Sequence, residues 1–254
     1  MSSADADPVL HPDEQVGKAI VNQKTNTEPG QITGDADSSI GTHNLFLLTF
    51  GDKLGLAPPN DSGAEITHVL DIGTGTGIWA IDYADEHPEA EVIGVDLSPI
   101  QPAFNLKPGG YVEIQETGGI ILSDDGTLAP GHALSRWCSL LGEAFTKLGS
   151  TSIEFDEIKA IMEEIGFVDI VDKRFKWPTN PWPRDKKYKE LGTWNNYNAS
   201  NALESLTMAS FSRAYGWSRE EVITFLVDVR KDLNNPSVHA YNPICSIYGK
   251  KPDA

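Results

Sequence analysis

The chain has 254 residues, 39% of them hydrophobic, and a formal net charge of −17. This length allows one large domain or two small ones, and so acidic a surface repels phosphates, which argues against nucleic-acid binding. The two cysteines lie outside any CxxC spacing, no apolar run reaches the ~18 residues of a membrane span, and no signal-peptide core is present, so we expect a cytoplasmic or nuclear protein without disulfides.

The N-terminal part of the chain, residues 1–39, is rich in small and polar residues. It cannot bury enough apolar surface to offset the entropy of ordering, so we expect a disordered tail. The stretch NLFLLTFGDKLGLAPP at 44–59 has apolar residues at a spacing that favours a helix. Residues 40–254 are expected to form one domain, with a helical lid over about 177–235.

A strand, a glycine turn, a helix and a second strand follow, and together they predict a βαβ unit. The strands are His68–Ile72 and Glu91–Val95, and the helix is Ile78–Glu86. Both strands are almost continuously apolar, which is typical of parallel strands covered on both faces. The positions of the helix expected to be buried are its small and aliphatic residues, Ile78, Ala80, Ile81 and Ala84.

The rest of the chain predicts three more strands and four more helices. The strands are expected at 111–115, 167–175 and 239–248. The helices are expected at 134–148, 153–165, 199–215 and 218–233, the last opened by a capping box of Ser218 and Glu221. Prolines and tryptophans at 176–192 predict a loop before the third of these helices.

The glycine turn carries the clearest chemical signal. VLDIGTGTG places Gly73, Gly75 and Gly77 between a strand and the start of a helix, where glycine allows a sharp turn and close contact with a ligand. Asp96 follows the next strand, and a carboxylate there can accept both hydroxyl hydrogens of a ribose. The sequence therefore predicts a site for a nucleoside-containing ligand.

Two residues distinguish the kind of nucleoside ligand. A dinucleotide fingerprint needs a small residue at position 78, where this chain has Ile78. Asp71 precedes the first glycine, and a carboxylate there suits the sulfonium cation of S-adenosylmethionine better than a diphosphate. An NAD-dependent oxidoreductase is therefore disfavoured.

The stretch VLDIGTGTGIWAIDYADEHPEAEVIGVDLSPIQP resembles the cofactor-binding segment of the fungal LaeA-like methyltransferases, a family named for a regulator of secondary metabolism. LKPGGYVEIQE, EEIGFVDIVDKRFKWPTNPWPRD and GWSREEVITFLVDVRKDL extend the resemblance over most of 44–254. It implies an α/β class I methyltransferase: a Rossmann-like parallel sheet with a C-terminal antiparallel strand and a helical lid. It further implies S-adenosyl-L-methionine as cofactor, and a small-molecule acceptor or partner protein rather than nucleic acid or membrane.

The resemblance also implies which residues contact the cofactor. Those around the methionine part would be Asp71, Gly73, Thr74, Gly75 and Gly77, and those at the ribose would be Asp96 and Leu97. No catalytic residue or metal ligand emerges, since methyl transfer needs proximity and in-line geometry more than a base. Of the segment that precedes the first helix in the family, only His43 is retained in kind.

The chain departs from the family between SPIQP and LKPGG, where members carry about fifty residues and this chain has only 103–105. A parallel crossover usually needs about a dozen or more residues including its helix, which does not fit here. We therefore expect a sheet that lacks two strands, one of them central. The strand at 111 would pair directly beside that at 68 or leave a gap, and apolar surface would be uncovered.

Several alternatives stay open on the sequence alone. The chain is either a methyltransferase, a non-catalytic accessory protein on a degenerate methyltransferase fold, or the product of a transcript that lacks an exon. Glu113 and Glu116 are either surface or turn-capping carboxylates or substrate contacts. For His132 and His239, capping or packing is favoured over catalysis. Packing is likewise favoured over an aromatic substrate pocket for Trp177, Trp182, Trp194 and Trp217.

Overall fold

A computed structural model describes residues 9–12, 35–95, 106–150 and 153–253. Its helices are α1 (Asp35–Phe50), α2 (Ile78–Glu86), α3 (Ala133–Lys147), α4 (Phe155–Glu164), α5 (Lys186–Tyr215) and α6 (Arg219–Leu233). Its strands are β1 (His68–Ile72), β2 (Glu91–Val95), β3 (Tyr111–Thr117), β4 (Val168–Pro178) and β5 (Tyr241–Lys250). None of the helices in these ranges is both long and apolar enough to span a bilayer.

The strands form two separate sheets. β1 and β2 pair in parallel, with Leu70 opposite Ile93, and β5 lies between β3 and β4 in a three-stranded sheet. Main-chain hydrogen bonds join Gly110 to Lys251 and Gly118 to Pro243, so β3 and β5 run antiparallel. The predicted α/β class and C-terminal antiparallel strand are confirmed, and within the described ranges a gap, not direct pairing, separates β1 from β3.

The chain divides into two compact units. One, here called the helical unit, consists of Met1–Ser38, Thr117–Ile153 and Phe175–Ile244. The other, the sheet unit, consists of Ser39–Glu116, Glu154–Arg174 and Cys245–Ala254. Each has a core of its own, and each contains one of the two cysteines, Cys138 and Cys245, both free and buried.

The core of the helical unit lies where α3, α5 and α6 meet. Its fully buried side chains include Leu134, Phe211, Val222, Leu226 and Val229. In the sheet unit, α4 packs its apolar face on the antiparallel sheet, and the buried residues there are Ile158, Met162, Cys245 and Ile247. These two cores follow from the 3.6-residue periodicity of the helices and from the apolar run of β5.

The ends of the helices show which local signals were decisive. The capping box of α6 is confirmed, since Ser218 Oγ accepts from Glu221 N at 3.2 Å and Glu221 accepts from Ser218 N at 2.8 Å. α5 begins at Lys186, upstream of the predicted start at 199, because the Asp185 carboxylate caps Tyr188 N at 3.2 Å. The predicted loop at 176–192 is therefore wrong in its second half.

The first helix also differs from its prediction. α1 begins at Asp35, inside the segment expected to be a tail, and ends at Phe50, well before the predicted end at 59. Gly51 and Asp52 stop it with φ values of 70° and 64°, and a single 3₁₀ turn follows at Pro58–Asn60. The remainder of the predicted tail, apart from 9–12, lies outside the described residues.

One face of the parallel pair is open. Leu70, Ile72 and Ile93 are 42%, 37% and 50% exposed, and side-chain alternation with the Leu70–Ile93 register places them on the same face. The prediction that both faces are covered was wrong, whereas the predicted uncovered apolar surface is confirmed. On α2, Ile81 is 59% exposed and Tyr83 only 2%, so the expectation that Ile81 is buried was also wrong.

Candidate functional site: the glycine loop and its supports

The glycine loop joins β1 to α2 in a conformation that only glycine adopts without strain. Gly73, Gly75 and Gly77 have φ values of 79°, 52° and 78°, all in the left-handed region. Gly73 N and Thr74 N donate to the carbonyl of Val95 at 2.8 and 3.0 Å, which ties the loop to the end of β2. Gly77 is the N-cap of α2, so the loop and the helix move together.

The floor of the loop is closely packed and its upper side is open. A Cβ at Gly94 would lie 2.7 Å from Thr74 Oγ1, whereas a Cβ at Gly73 would meet nothing within 4 Å. Thr74 Oγ1 is buried with no hydrogen-bond partner among the residues described. An accessible glycine backbone at a helix N-terminus, beside the half-buried Asp71 on β1, fits a cofactor with a cationic amino-acid part.

Two of the predicted cofactor residues, Asp96 and Leu97, lie outside the described residues, as does the shortened segment at 103–105. The structure thus brings together Asp71, Gly73, Thr74, Gly75 and Gly77 around one loop. It says nothing of the ribose side of the predicted site.

Glu113 organises the segment Leu54–Asn60, here called the connector. Its carboxylate accepts from Leu56 N at 2.8 and 3.0 Å, from Ala57 N at 2.8 Å and from Asn60 Nδ2 at 3.4 Å. Of the readings open from the sequence, Glu113 therefore caps a turn. Glu116, also on β3, is exposed.

The connector also receives hydrogen bonds from α2. Trp79 Nε1 donates to the Leu54 carbonyl at 2.9 Å and Tyr83 Oη donates to the Pro59 carbonyl at 3.2 Å. Burial, with the nearby Glu86 and Glu89 carboxylates, raises the pKa of Tyr83, which keeps its hydroxyl a donor. Sequence reasoning missed these residues, although the P-P-N turn signal at 58–60 marked the connector as a bend.

His43 supports α2 from a second direction. Its Nε2 lies 2.8 Å from Asp82 Oδ2, and the residue is 8% exposed. α1 is thereby attached to the helix that follows the glycine loop.

The other residues singled out from the sequence have structural roles in the helical unit. His132 Nδ1 accepts from Ala129 N at 2.9 Å, and His239 pairs with Asp125 and packs on the Trp182 ring. Trp177 and Trp182 are 3% and 4% exposed, while the half-buried Trp194 and Trp217 pack edge-on against Tyr197 and Phe211. Packing is thus confirmed for this group. The part of the chain that the structure describes contains no cluster of metal-ligating side chains.

Comparison with known proteins identifies the family. The chain is 32% identical over 277 residues to the "probable methyltransferase tdiE" of Emericella nidulans, covering 91% of this chain and 86% of that protein. It is 29% identical to the "protein-methionine methyltransferase laeA" of the same organism, covering 83% of this chain and 68% of that protein. The chain belongs to the LaeA-like family of fungal methyltransferases. The LaeA-like relatives also include methyltransferase pytC of Aspergillus terreus, 32% identical over 83% of this chain and 78% of that protein.

Two further comparisons add less. No family model matches the chain. A partial likeness, with a TM-score of 0.40 and 18% identity, covers 75% of this chain and 50% of the phosphoethanolamine N-methyltransferase 2 of Haemonchus contortus, whose structure contains S-adenosyl-L-methionine.

The alignments also measure how short this LaeA-like chain is. The alignment with tdiE spans 277 residues, whereas 91% of the 254-residue chain is about 231 residues. About 46 aligned positions of tdiE therefore have no counterpart here. The alignment with pytC, 257 residues long over 83% of this chain, about 211 residues, gives about 46 as well. Both agree with the segment of about fifty residues that the sequence predicted to be missing.

Proposed function

We propose that this protein is an S-adenosyl-L-methionine-dependent methyltransferase of fungal secondary metabolism. The observation that carries the proposal is the glycine loop: three glycines at positive φ between β1 and α2, tied to Val95, in a chain of a methyltransferase family. The relatives tdiE and pytC are named methyltransferases, and laeA is named a protein-methionine methyltransferase. These names support a small molecule or a protein as the acceptor.

The chain's own residues would hold and orient the cofactor. S-adenosylmethionine supplies a methyl group activated on a sulfonium. We assign its methionine part to Asp71, Gly73, Thr74, Gly75 and Gly77, and its ribose to Asp96 and Leu97. The remaining task of the protein is to orient the acceptor in line and to exclude water, which accounts for a site without a dedicated base.

The partners follow from the charge. With a net charge of −17, the protein would select a small-molecule acceptor or a partner protein over nucleic acid or a membrane. We place it in the cytoplasm or nucleus. No observation favours the accessory-protein alternative over a methyltransferase.

Titration with S-adenosylhomocysteine tests the proposal. Asp96→Ala and Asp71→Ala are expected to weaken binding at least about tenfold, as removal of a hydrogen bond to a charged group does. Asp85→Ala, at an exposed position on α2, is the matched control and should bind as the wild type does. Absence of binding to the wild type at millimolar ligand, or tighter binding of NADH, would refute the proposal.

A further inference from the structure

We infer that Glu113 is a positioning residue for the glycine loop, acting through the connector and α2. This inference rests on the proposed function, because it concerns the loop to which we assign the cofactor. The contacts form a chain within the sheet unit: β3 and β5 fix Glu113, Glu113 fixes the connector, and the connector fixes α2.

The first link is the anchoring of Glu113 in the antiparallel sheet. Ser246, fully buried on β5, donates to Glu113 Oε1 at 2.8 Å, and Gln115 Nε2 lies 3.3 Å from the same oxygen. Hydrogen bonds to an ionised acceptor are shorter and stronger than those between neutral groups. The carboxylate therefore projects from the sheet in a fixed position.

The second link is the connector. Leu56 N and Ala57 N are consecutive amides that donate to this one carboxylate. A Cβ at Gly55 would lie 2.6 Å from Glu113 Oε2, so the connector backbone lies directly on the acid. Two adjacent donors need an acceptor with several lone pairs, which a carboxylate has and a carboxamide has only on one atom.

The third link runs from the connector to α2. Trp79 and Tyr83, one helical turn apart, donate to carbonyls near the two ends of the connector, and their rings stack at a centroid distance of 4.9 Å. Because Gly77 caps α2, a change in the position of the connector is transmitted to the loop. Glu113 thus orients the cofactor loop without touching it.

Hydrogen exchange tests the chain of contacts without any ligand. Glu113→Gln keeps the size of the side chain but replaces one acceptor oxygen with a donor. We expect faster exchange in peptides covering 54–60 and 73–86, with peptides covering 241–250 unchanged, which shows that the sheet remains folded. Asp124→Asn is the matched control: this carboxylate also accepts from two partners, Lys176 and Tyr241, but in the helical unit, so exchange at 73–86 should not change.

A double-mutant cycle on S-adenosylhomocysteine binding tests the coupling. Glu113→Gln and Trp79→Phe should each raise Kd by about three- to tenfold, and the double variant should raise it by less than the product of the two factors, since both act through one connector. Multiplying effects, or unchanged exchange at 73–86 in Glu113→Gln, would overturn the inference. A wild type that binds no S-adenosylhomocysteine would refute the proposed function, while the exchange experiment would still decide the role of Glu113.

Discussion

Trp79 and Gln115 donate hydrogen bonds to the same acceptor, the main-chain carbonyl of Leu54, each at 2.9 Å. One donor belongs to α2, on the side of the glycine loop, and the other to β3, in the antiparallel sheet. In the described ranges these two parts share no strand pairing, and the connector supplies hydrogen bonds to both.

The shared acceptor predicts a stability effect larger than the sum of its parts. Trp79→Phe and Gln115→Leu each leave one donor on the Leu54 carbonyl, so each should destabilise the fold by only ~0.5–1.5 kcal/mol. The double variant leaves a carbonyl without either donor on a residue that is 4% exposed, which adds a desolvation cost of ~1–3 kcal/mol. Urea denaturation of all four proteins measures this, and strictly additive free energies of unfolding would contradict it.

Two helical glycines should respond in opposite directions to alanine. A Cβ at Gly192 on α5 would overlap the carbonyl of Asn180, whereas a Cβ at Gly142 on α3 would meet nothing within 4 Å. We expect Gly192→Ala to destabilise the fold by ~1–3 kcal/mol. Gly142→Ala should stabilise it by ~0.5–1 kcal/mol, as alanine does in an open helix interior. Thermal unfolding of the pair checks both signs, and a stabilising Gly192→Ala would disprove the close approach to Asn180.

The open face of the β1–β2 pair should drive self-association. Ile93→Thr keeps a β-branched residue but removes apolar surface from the middle of the patch. Light scattering as a function of concentration should show less association, with a free energy of unfolding within ~0.5 kcal/mol of wild type. Ile247→Thr, at a fully buried position, is the contrasting variant and should lower stability without reducing association. Unchanged association in Ile93→Thr would exclude this face as the cause.

Acid stability should depend on Asp125. Burial alone would raise its pKa, but hydrogen bonds from His239, Thr127 and Ser123 outweigh burial and hold the pKa well below its usual range. A carboxyl whose pKa is lower folded than unfolded stabilises the fold above the unfolded value of about 3.9, and that contribution declines as pH falls below it. Asp124, next to it, has its pKa lowered by Tyr241 and Lys176 against the same effect of burial and titrates in the same direction.

The test compares Asp125→Asn with the wild type in urea at several pH values. The stability difference should be largest between about pH 5 and 7 and shrink below about pH 4. Asp85→Asn, at an exposed position on α2, is the control and should show no such trend. A difference that stays constant down to pH 3 would show that the hydrogen bonds to Asp125 do not depend on its charge.

The sequence predicted the βαβ unit with correct bounds because its signals are local. The apolar runs of β1 and β2, the three glycines and the His87-Pro88 stop fix each end without reference to distant residues. The start of α5 was not predicted, because Gly192 and the polar residues near it weaken the helical pattern while the cap at Asp185 does not by itself extend it. Its decisive partner, the Asn180 carbonyl, is a tertiary contact.

Burial was harder to predict than structure. β1 reads as a strand covered on both faces, yet Leu70 and Ile72 are exposed, because cover is supplied by elements elsewhere in the chain and not by the strand itself. Tyr83 has the opposite fate: its hydroxyl reaches the Pro59 carbonyl, so a polar aromatic is buried where Ile81 was expected. The role of Glu113 depends on five donors from separate parts of the sequence, which no spacing rule reveals.

The two free thiols give each unit a timer of its own. Cys138 is 7% exposed on α3 in the helical unit, and Cys245 is fully buried in the sheet unit, where burial raises its pKa to about 12. Alkylation needs both exposure and a thiolate, so each cysteine reacts only when its surroundings open. Peptide mass spectrometry over the course of alkylation would therefore record two opening rates in one sample of the unaltered protein.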